Sequence, residues 1–280
     1  MATTDQPATG QTRIDDGAID ALLREDRRYA PSEAFKAQAN WSDPTIYDRA
    51  AADPEGFWAE QAQAIDWFKP WDRVLEWNAP NARWFVGAEV NASYNCVDRH
   101  LLSWRRNKAA IVFEGEPGDG RVLTYRDLYR EVNRCAAALR RMGVKKGDRV
   151  AIYLGMIPEL TIAMLACARL GAPHTVIFAG FSADSIADRV NDCGATFAIT
   201  ADGGWRRGGK IPLKDTMDKA LESCPTISKV LVVNRTDDAR QVPMKDGRDV
   251  WWHDALDQSG TQTVEPEHLD AEHPLYILYT

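Results

Sequence analysis

The sequence predicts an α/β protein, with a helical, tryptophan-rich N-terminal layer followed by a mostly parallel βαβ sheet. Three observations predict it. Short apolar, β-branched runs alternate with amphipathic stretches of about a dozen residues, the pattern of right-handed crossovers between parallel strands. Those stretches begin at helix-capping residues and stop at glycines. Trp41, Trp58, Trp67, Trp71, Trp77 and Trp84 all fall ahead of residue 91, joined by Phe57, Phe68 and Phe85. Aromatic side chains bury large areas, so that segment must pack against something substantial.

Taken in order, residues 1–28 are polar and short of aromatics, which reads as a mobile arm. Residues 29–95 form the helical segment. Ser42-Asp43-Pro44 opens one helix there, and Asp53-Pro54-Glu55 sets a cap and an N1 proline before Phe57-Trp58. The aromatics suit a layer pinned onto the main domain better than a carbohydrate-binding platform, because helical spacing favours a core. Residues 96–280 carry the alternating pattern. Ile111-Val112-Phe113 is a strand, followed by a charged turn with Gly115, Pro117, Gly118 and Gly120. Thr124 caps a helix, with Asp127 at the capping-box position. Its apolar stripe, Leu128, Val132, Cys135, Ala136 and Leu139, keeps a helical period until Gly143 stops it.

Val150–Leu154 is the next strand, and Pro158 opens a helix that ends at Gly171. Thr175–Phe178 is a strand, and Ser182 caps a helix running to Cys193-Gly194. Ala195–Thr200 and Val230–Val233 are strands. The run Leu275–Tyr279 reads as one more buried strand, after which the sheet is left incomplete at the C-terminus.

Composition narrows the function classes. At 45% hydrophobic and 27% charged the chain can bury a sizeable core. A net charge of −7 argues against general affinity for nucleic acid or anionic membrane. No apolar run approaches the ~18 residues of a membrane span, and Met1–Gln11 lacks the apolar stretch of a secretory signal. Cys96, Cys135, Cys167, Cys193 and Cys224 show no C-x-x-C spacing and read as buried small hydrophobes. The five histidines have no metal-ligand spacing. A cytoplasmic protein fits this usage.

Two segments are candidates for a site. Thr200–Lys210 follows a strand and gathers Gly203, Gly204, Gly208, Gly209, Arg206, Arg207 and Lys210 in an otherwise acidic chain. Arginine's planar fork suits phosphate, and ligands gather beyond the carboxyl ends of parallel strands. Composition alone favours a solvated flexible loop over a phosphate site, and the P-loop pattern is absent. Phe178-Ala179-Gly180-Phe181-Ser182 is a tight strand-to-helix turn, readable as an anion site or as a plain connection. The basic run Arg99-His100, Arg105-Arg106 and Lys108 reads as a solvated helix face. No nucleophile, base or metal cluster can be assembled from spacing.

Trp84-Phe85-Val86-Gly87-Ala88-Glu89-Val90-Asn91-Ala92-Ser93-Tyr94-Asn95-Cys96-Val97-Asp98-Arg99-His100 resembles the entry segment of AMP-forming acetyl-CoA synthetases, W-F-x-G-x-x-x-N-x-x-x-N-x-x-D-R-H. The resemblance continues through Leu123-Thr124-Tyr125, Gly147-Asp148-Arg149-Val150, His174–Ser182, the Arg/Gly loop with Ile211-Pro212-Leu213-Lys214, and Gly247–Trp252. It covers nearly the whole chain from Tyr29 and assigns residues 96–280 to the first part of an adenylation domain.

The resemblance implies a ligase. Acetate attacks the α-phosphate of Mg2+-ATP, and coenzyme A then displaces AMP from the acetyl-adenylate. It implies coenzyme A contacts at Arg206, Arg207, Gly208 and Gly209. Relatives can carry a second arginine where this chain has Gly209, so the charge there depends on Lys210. The implied partners are acetate, ATP and coenzyme A, with no nucleic acid and no membrane. The phosphate loop, the acetate pocket and the C-terminal domain with its lysine are expected after residue 280, so the remaining part of the synthetase is an implied requirement. Propionate or another short-chain acid, and a non-catalytic coenzyme A or nucleotide-binding fragment, stay open as alternatives.

Overall fold

The computed structural model describes residues 28–237 and 242–280; the predicted arm, residues 1–28, lies almost wholly outside them. The chain divides into two compact units, Met1–Pro54 and Glu55–Thr280. In the first, Ser32 caps helix α1 (Glu33–Gln38) by accepting from the Phe35 amide. Helix α2 (Ile46–Ala52) follows a turn in which Asp43 accepts from both the amide and the hydroxyl of Thr45. Helix α3 (Pro54–Ala62) starts at the expected proline.

The tryptophan-rich segment is helical only as far as α3. Beyond it β1 (Arg73–Asn78) and β2 (Asn81–Val86) form an antiparallel hairpin, closed by Ala79-Pro80. Aromatic and apolar residues along a pleated hairpin pack better there than on a helix, so the capping signals upstream set only α2 and α3. The tryptophans are not individually pinned onto the main core. Trp67, Trp71 and Phe85 pack mutually, with ring centroids 5.1–5.3 Å apart, while Trp77 is two-thirds exposed. Attachment falls to other residues. Phe68 stacks on His268 at 3.9 Å, and β3 (Glu89–Val90) pairs with β13 (Leu269–Asp270).

The W-F…D-R-H segment is a set of structural staples. Asn91 caps helix α4 (Ala92–Cys96) by accepting from the amides of Ser93 and Tyr94. Its Nδ2 donates to the carbonyls of Ala168 and Glu267 at 3.0 and 2.9 Å. Asn95 accepts from the Asp66 amide and donates to the Asp66 carbonyl. Asp98 takes both terminal nitrogens of Arg169, at 2.8 and 2.9 Å, and Arg169 is 1% exposed. A bidentate pair of this kind satisfies a buried guanidinium that would otherwise be very costly. Arg99 reaches Asp66 and the Ala64 carbonyl, so it too is committed.

The main sheet contains β6 (Val150–Leu154), β7 (His174–Phe178), β8 (Phe197–Ala201), β11 (Lys229–Val233) and β12 (Asp249–Trp251), all parallel, in the order β12-β11-β8-β6-β7. Helix α5 (Tyr125–Met142) carries the predicted Thr124–Asp127 capping box and ends at Gly143, at φ 105°. Helix α6 (Pro158–Leu170) is apolar nearly all round and buried accordingly. The chain steps from β6 one way to β7 and then back across β6 to β8. Right-handed crossovers therefore put α6 and α7 (Ala183–Cys193) on opposite faces.

Two expectations need correction. Leu275–Tyr279 is not a buried strand. It touches the sheet through one parallel bridge, His174 to Tyr276, with the Ile277 amide donating to the His174 carbonyl at 2.9 Å. Leu275, Tyr276 and Leu278 stay exposed, because the segment lies on the open edge of β7 with no described strand outside it. Cys96 is exposed at the end of α4, whereas the other four cysteines are buried and free. Burial raises the thiol pKa of Cys167 to about 12, an inert core role. The basic run is two 3-10 turns, Asp98–His100 and Trp104–Asn107, with Arg105, Arg106 and Lys108 exposed. Among the described residues no helix is long and apolar enough to cross a membrane.

Candidate functional site

Strand order places a crevice where β6, β7 and β8 end, the point at which the connections turn to opposite faces. A cleft of about 300 Å³ lies there. Gly155 and Met156 line it after β6, Ala179 and Gly180 after β7, and Gly203, Gly204 and Trp205 after β8. Its far wall is Phe113–Glu116, from the hairpin of β4 (Ala109–Glu114) and β5 (Gly120–Thr124).

The Arg/Gly segment is an ordered hairpin rather than a flexible loop. β9 (Gly204–Arg206) pairs antiparallel with β10 (Gly209–Ile211). Arg207 and Gly208 form the two-residue turn with φ of 54° and 77°, the left-handed pair that matches strand twist. The turn explains the glycine at 208. The hairpin base is held by Asp202, which is buried. Asp202 accepts from the Gly203 and Arg235 amides, both at 2.7 Å, and from the hydroxyl of Thr236 at 2.7 Å. At the tip, the Gly208 amide donates to Glu116.

The two segments singled out from sequence meet here. The Arg206 guanidinium lies over the Phe178 ring, 5.6 Å from its centroid. It stands so close to Gly180 that a Cβ there would fall 2.5 Å from Nη1. The Tyr153 hydroxyl fixes that turn, donating to the carbonyls of Ala179 and Phe181 at 3.1 and 3.2 Å. Ser182 caps the following helix as expected. The Arg206 side chain forms no ion pair or hydrogen bond with the described residues, and it is exposed at the cleft mouth. Arg207 is exposed at the turn, and Gly209 is exposed beside it.

Lys210 does not join Arg206. Its Nζ donates to the Thr236 carbonyl at 3.0 Å and lies 5.4 Å from the Trp205 ring centroid. Lys214, in the Ile-Pro-Leu-Lys run, is fully buried behind the hairpin. It pairs with Asp249 at 2.8 Å and Asp218 at 2.6 Å, and Arg248 pairs with both carboxylates. Burial acts to raise the Asp249 pKa, but hydrogen bonds from Arg248, Lys214 and the Lys245 amide outweigh it and the net shift is downward. The Gly247–Trp252 and Ile211–Lys214 motifs thus form one fixed-charge platform.

Sequence reasoning missed the far wall and Arg235. Arg235 follows β11 at a carboxyl strand end, so the rule that selected Arg206 could have selected it too. The described residues hold no cluster of three or more His, Cys, Asp or Glu able to bind a metal ion. The cleft offers backbone amides, an aromatic face and an unpaired arginine. Glu114 and Glu116 on its far wall are its carboxylates, and the Glu116 carboxylate is engaged by the Gly208 amide.

Comparison with known proteins extends this reading. Residues 44–96 match the acetyl-coenzyme A synthetase N-terminus, and residues 98–280 match the AMP-binding enzyme model. Acetyl-coenzyme A synthetase of Gemmatimonas aurantiaca is 55% identical over 266 residues, covering 94% of this chain and 40% of that protein. The acetyl-coenzyme A synthetase of Chlorobaculum tepidum is 49% identical over 278 residues, 98% of this chain and 42% of that one. Acetoacetyl-CoA synthetase from Streptomyces lividans superposes with a TM-score of 0.75 at 26% identity, over 89% of this chain and 40% of that chain. This chain therefore spans about 40% of the length of such relatives. With the AMP-binding model covering well over half of its residues, behind a segment of the acetyl-coenzyme A synthetase N-terminal type, the chain belongs to the AMP-binding enzyme family.

Proposed function

We propose that this chain is the N-terminal part of an AMP-forming acetate–CoA ligase and carries its coenzyme A contact. The observation that carries the reading is Arg206, unpaired and stacked on Phe178 at the mouth of the switch-point cleft. An arginine without a carboxylate partner has both edges of its fork free for a phosphate of the ligand. Arg207, Gly208 and Gly209 present the turn to the same ligand, the glycines allowing close approach of the backbone. Similarity to acetyl-coenzyme A synthetases supports acetate, ATP and coenzyme A as the substrates, with Mg2+ arriving on the nucleotide. A cytoplasmic setting fits the free cysteines.

In the reaction so assigned, an acetate oxygen attacks the α-phosphate, pyrophosphate leaves, and the coenzyme A thiolate displaces AMP from the acyl carbon. This chain's share is positioning in the second step, a role that lowers the barrier by holding the reactant in place. Adenylation needs charge stabilisation on the transferring phosphoryl group. The open cation of the cleft, Arg206, is assigned here to coenzyme A, so the 280-residue chain alone is expected to give no acetate-dependent ATP–pyrophosphate exchange above a no-enzyme control. Calorimetry with coenzyme A tests the binding half of the proposal. Arg206→Ala is expected to weaken binding about tenfold or more, the scale of a lost charge-assisted contact. Equal affinity in the variant would remove Arg206 from the site.

A further inference from the structure

The β4–β5 hairpin forms one whole wall of the cleft, yet its two strands pair only with each other. No backbone ladder joins it to the five-stranded sheet among the described residues. Side chains must hold the wall in place, and one pair does so beside the cleft, where Arg235 lines it. Arg235 Nη1 and Nη2 each lie 2.9 Å from a different oxygen of Asp119. The same guanidinium lies 5.5 Å from the Phe113 ring centroid, so it grips the hairpin by its turn and by an aromatic face of its first strand. A side chain on Gly115 would overlap Asp119 and meet Arg235 Nη2, so the pair closes over a glycine that leaves it room. At its other end Arg235 is tethered through its own amide to Asp202, the carboxylate that also fixes the base of the Arg206 hairpin. Two lesser fastenings accompany the pair: Arg121 with Glu159 at 2.8 Å, and Glu116 with the Gly208 amide.

We propose that the Asp119–Arg235 pair is a latch that sets the width of the cleft, which makes Arg235 a positioning residue for the ligand that Arg206 meets. The inference rests on the reading of this cleft as a coenzyme A site. Asp202 couples the two walls, so the hairpin that presents Arg206 and the wall that faces it share one anchor. Arg235 is committed to Asp119 and Phe113 and does not itself contact the ligand. Its effect on binding is exerted through the wall.

The test uses the 280-residue chain with Asp119→Ala, Arg235→Ala and the double variant, together with the milder Asp119→Asn and Arg235→Lys. Hydrogen–deuterium exchange reads the wall directly, and calorimetry reads coenzyme A affinity. Each alanine variant is expected to speed amide exchange over residues 111–124, leave α5 protected, and weaken coenzyme A about fivefold, the order of a partly exposed bidentate pair. The double variant should be no worse than the worse single one, since both remove the same contact. Arg235→Lys, which keeps the charge and loses the fork, should fall between wild type and Arg235→Ala. Additive losses, or unchanged exchange in residues 111–124 in all variants, would overturn the latch. If an alanine variant does not fold, the Asn and Lys variants decide by the same two readouts. If the wild-type chain binds no coenzyme A, the functional reading fails while the exchange measurement still decides the latch.

Discussion

The buried arginine of α6 that the entry segment holds and the exposed arginine of the Arg/Gly hairpin make opposite use of the same side chain. Arg169 is enclosed, gripped by both oxygens of Asp98, donating to the Val264 carbonyl and lying 5.6 Å from the Tyr129 ring centroid. Arg206 lies on an aromatic ring with its fork unpaired. Each of the three guanidinium nitrogens of the first is bonded within the fold, a structural commitment. The second leaves its donors open at the cleft mouth. A recognisable motif does not by itself separate these cases. The W-F…D-R-H segment carries the family resemblance, yet Asn91, Asn95 and Asp98 are staples that hold segments far apart in sequence.

Removing a staple should have the largest effect. Asp98→Ala leaves Arg169 charged and enclosed with no carboxylate, and is expected to cost about 3–5 kcal/mol in urea unfolding. A loss below ~1 kcal/mol would mean that Arg169 finds other partners and that the contrast with Arg206 is weaker than drawn.

Acid should expose a second internal constraint, of intermediate size. His174 is buried at the start of β7, and burial lowers its pKa from 6.5 to about 4. The unfolded chain takes up this proton before the folded one does. Stability from this group is therefore complete above about pH 6.5 and is lost as pH falls from there toward 4, by about 2–3 kcal/mol in all. His174→Gln should flatten that part of the pH–stability profile. The carboxyl of Asp249, whose folded pKa is depressed, acts only below its ordinary value of 3.8, so the two windows are separable.

The smallest stability effect belongs to the site, where binding should respond instead. In Gly180→Ala the new methyl falls 2.5 Å from Arg206 Nη1 and 2.6 Å from the Phe178 ring. The guanidinium and the exposed Phe178 ring can both swing away, so unfolding free energy should change by less than ~0.5 kcal/mol. Coenzyme A affinity should nonetheless fall about threefold to tenfold, because the displaced fork loses alignment. An unchanged affinity would mean that the stacked position of Arg206 is not the one used in binding.

Much of the fold was legible beforehand. The Thr124–Asp127 capping box, the proline at the start of α6, and the stops at Gly143, Gly171 and Gly194 all stand where the sequence puts them. The β1–β2 hairpin was not, because its aromatic content reads equally well as helical packing until the cross-strand pairs are seen. Leu275–Tyr279 has a strand's composition, yet with one bridge it has only the edge of β7 to lean on. At the site, Arg206 was legible from its strand-end position. Its release from partners was not, nor was the diversion of Lys210 to the Thr236 carbonyl.

The sequence by itself determined the local elements, since caps, glycine stops and apolar periods act over three or four residues. Tertiary structure alone decided which charged residues are spent inside the fold and which stay open at the cleft. Asp98 meets Arg169 across 71 residues, Asp119 meets Arg235 across 116, and Phe178 comes to lie under Arg206 from the neighbouring crossover. Pairing and burial depend on neighbours that only the reversal of strand order at β6 brings together, and no local pattern records them.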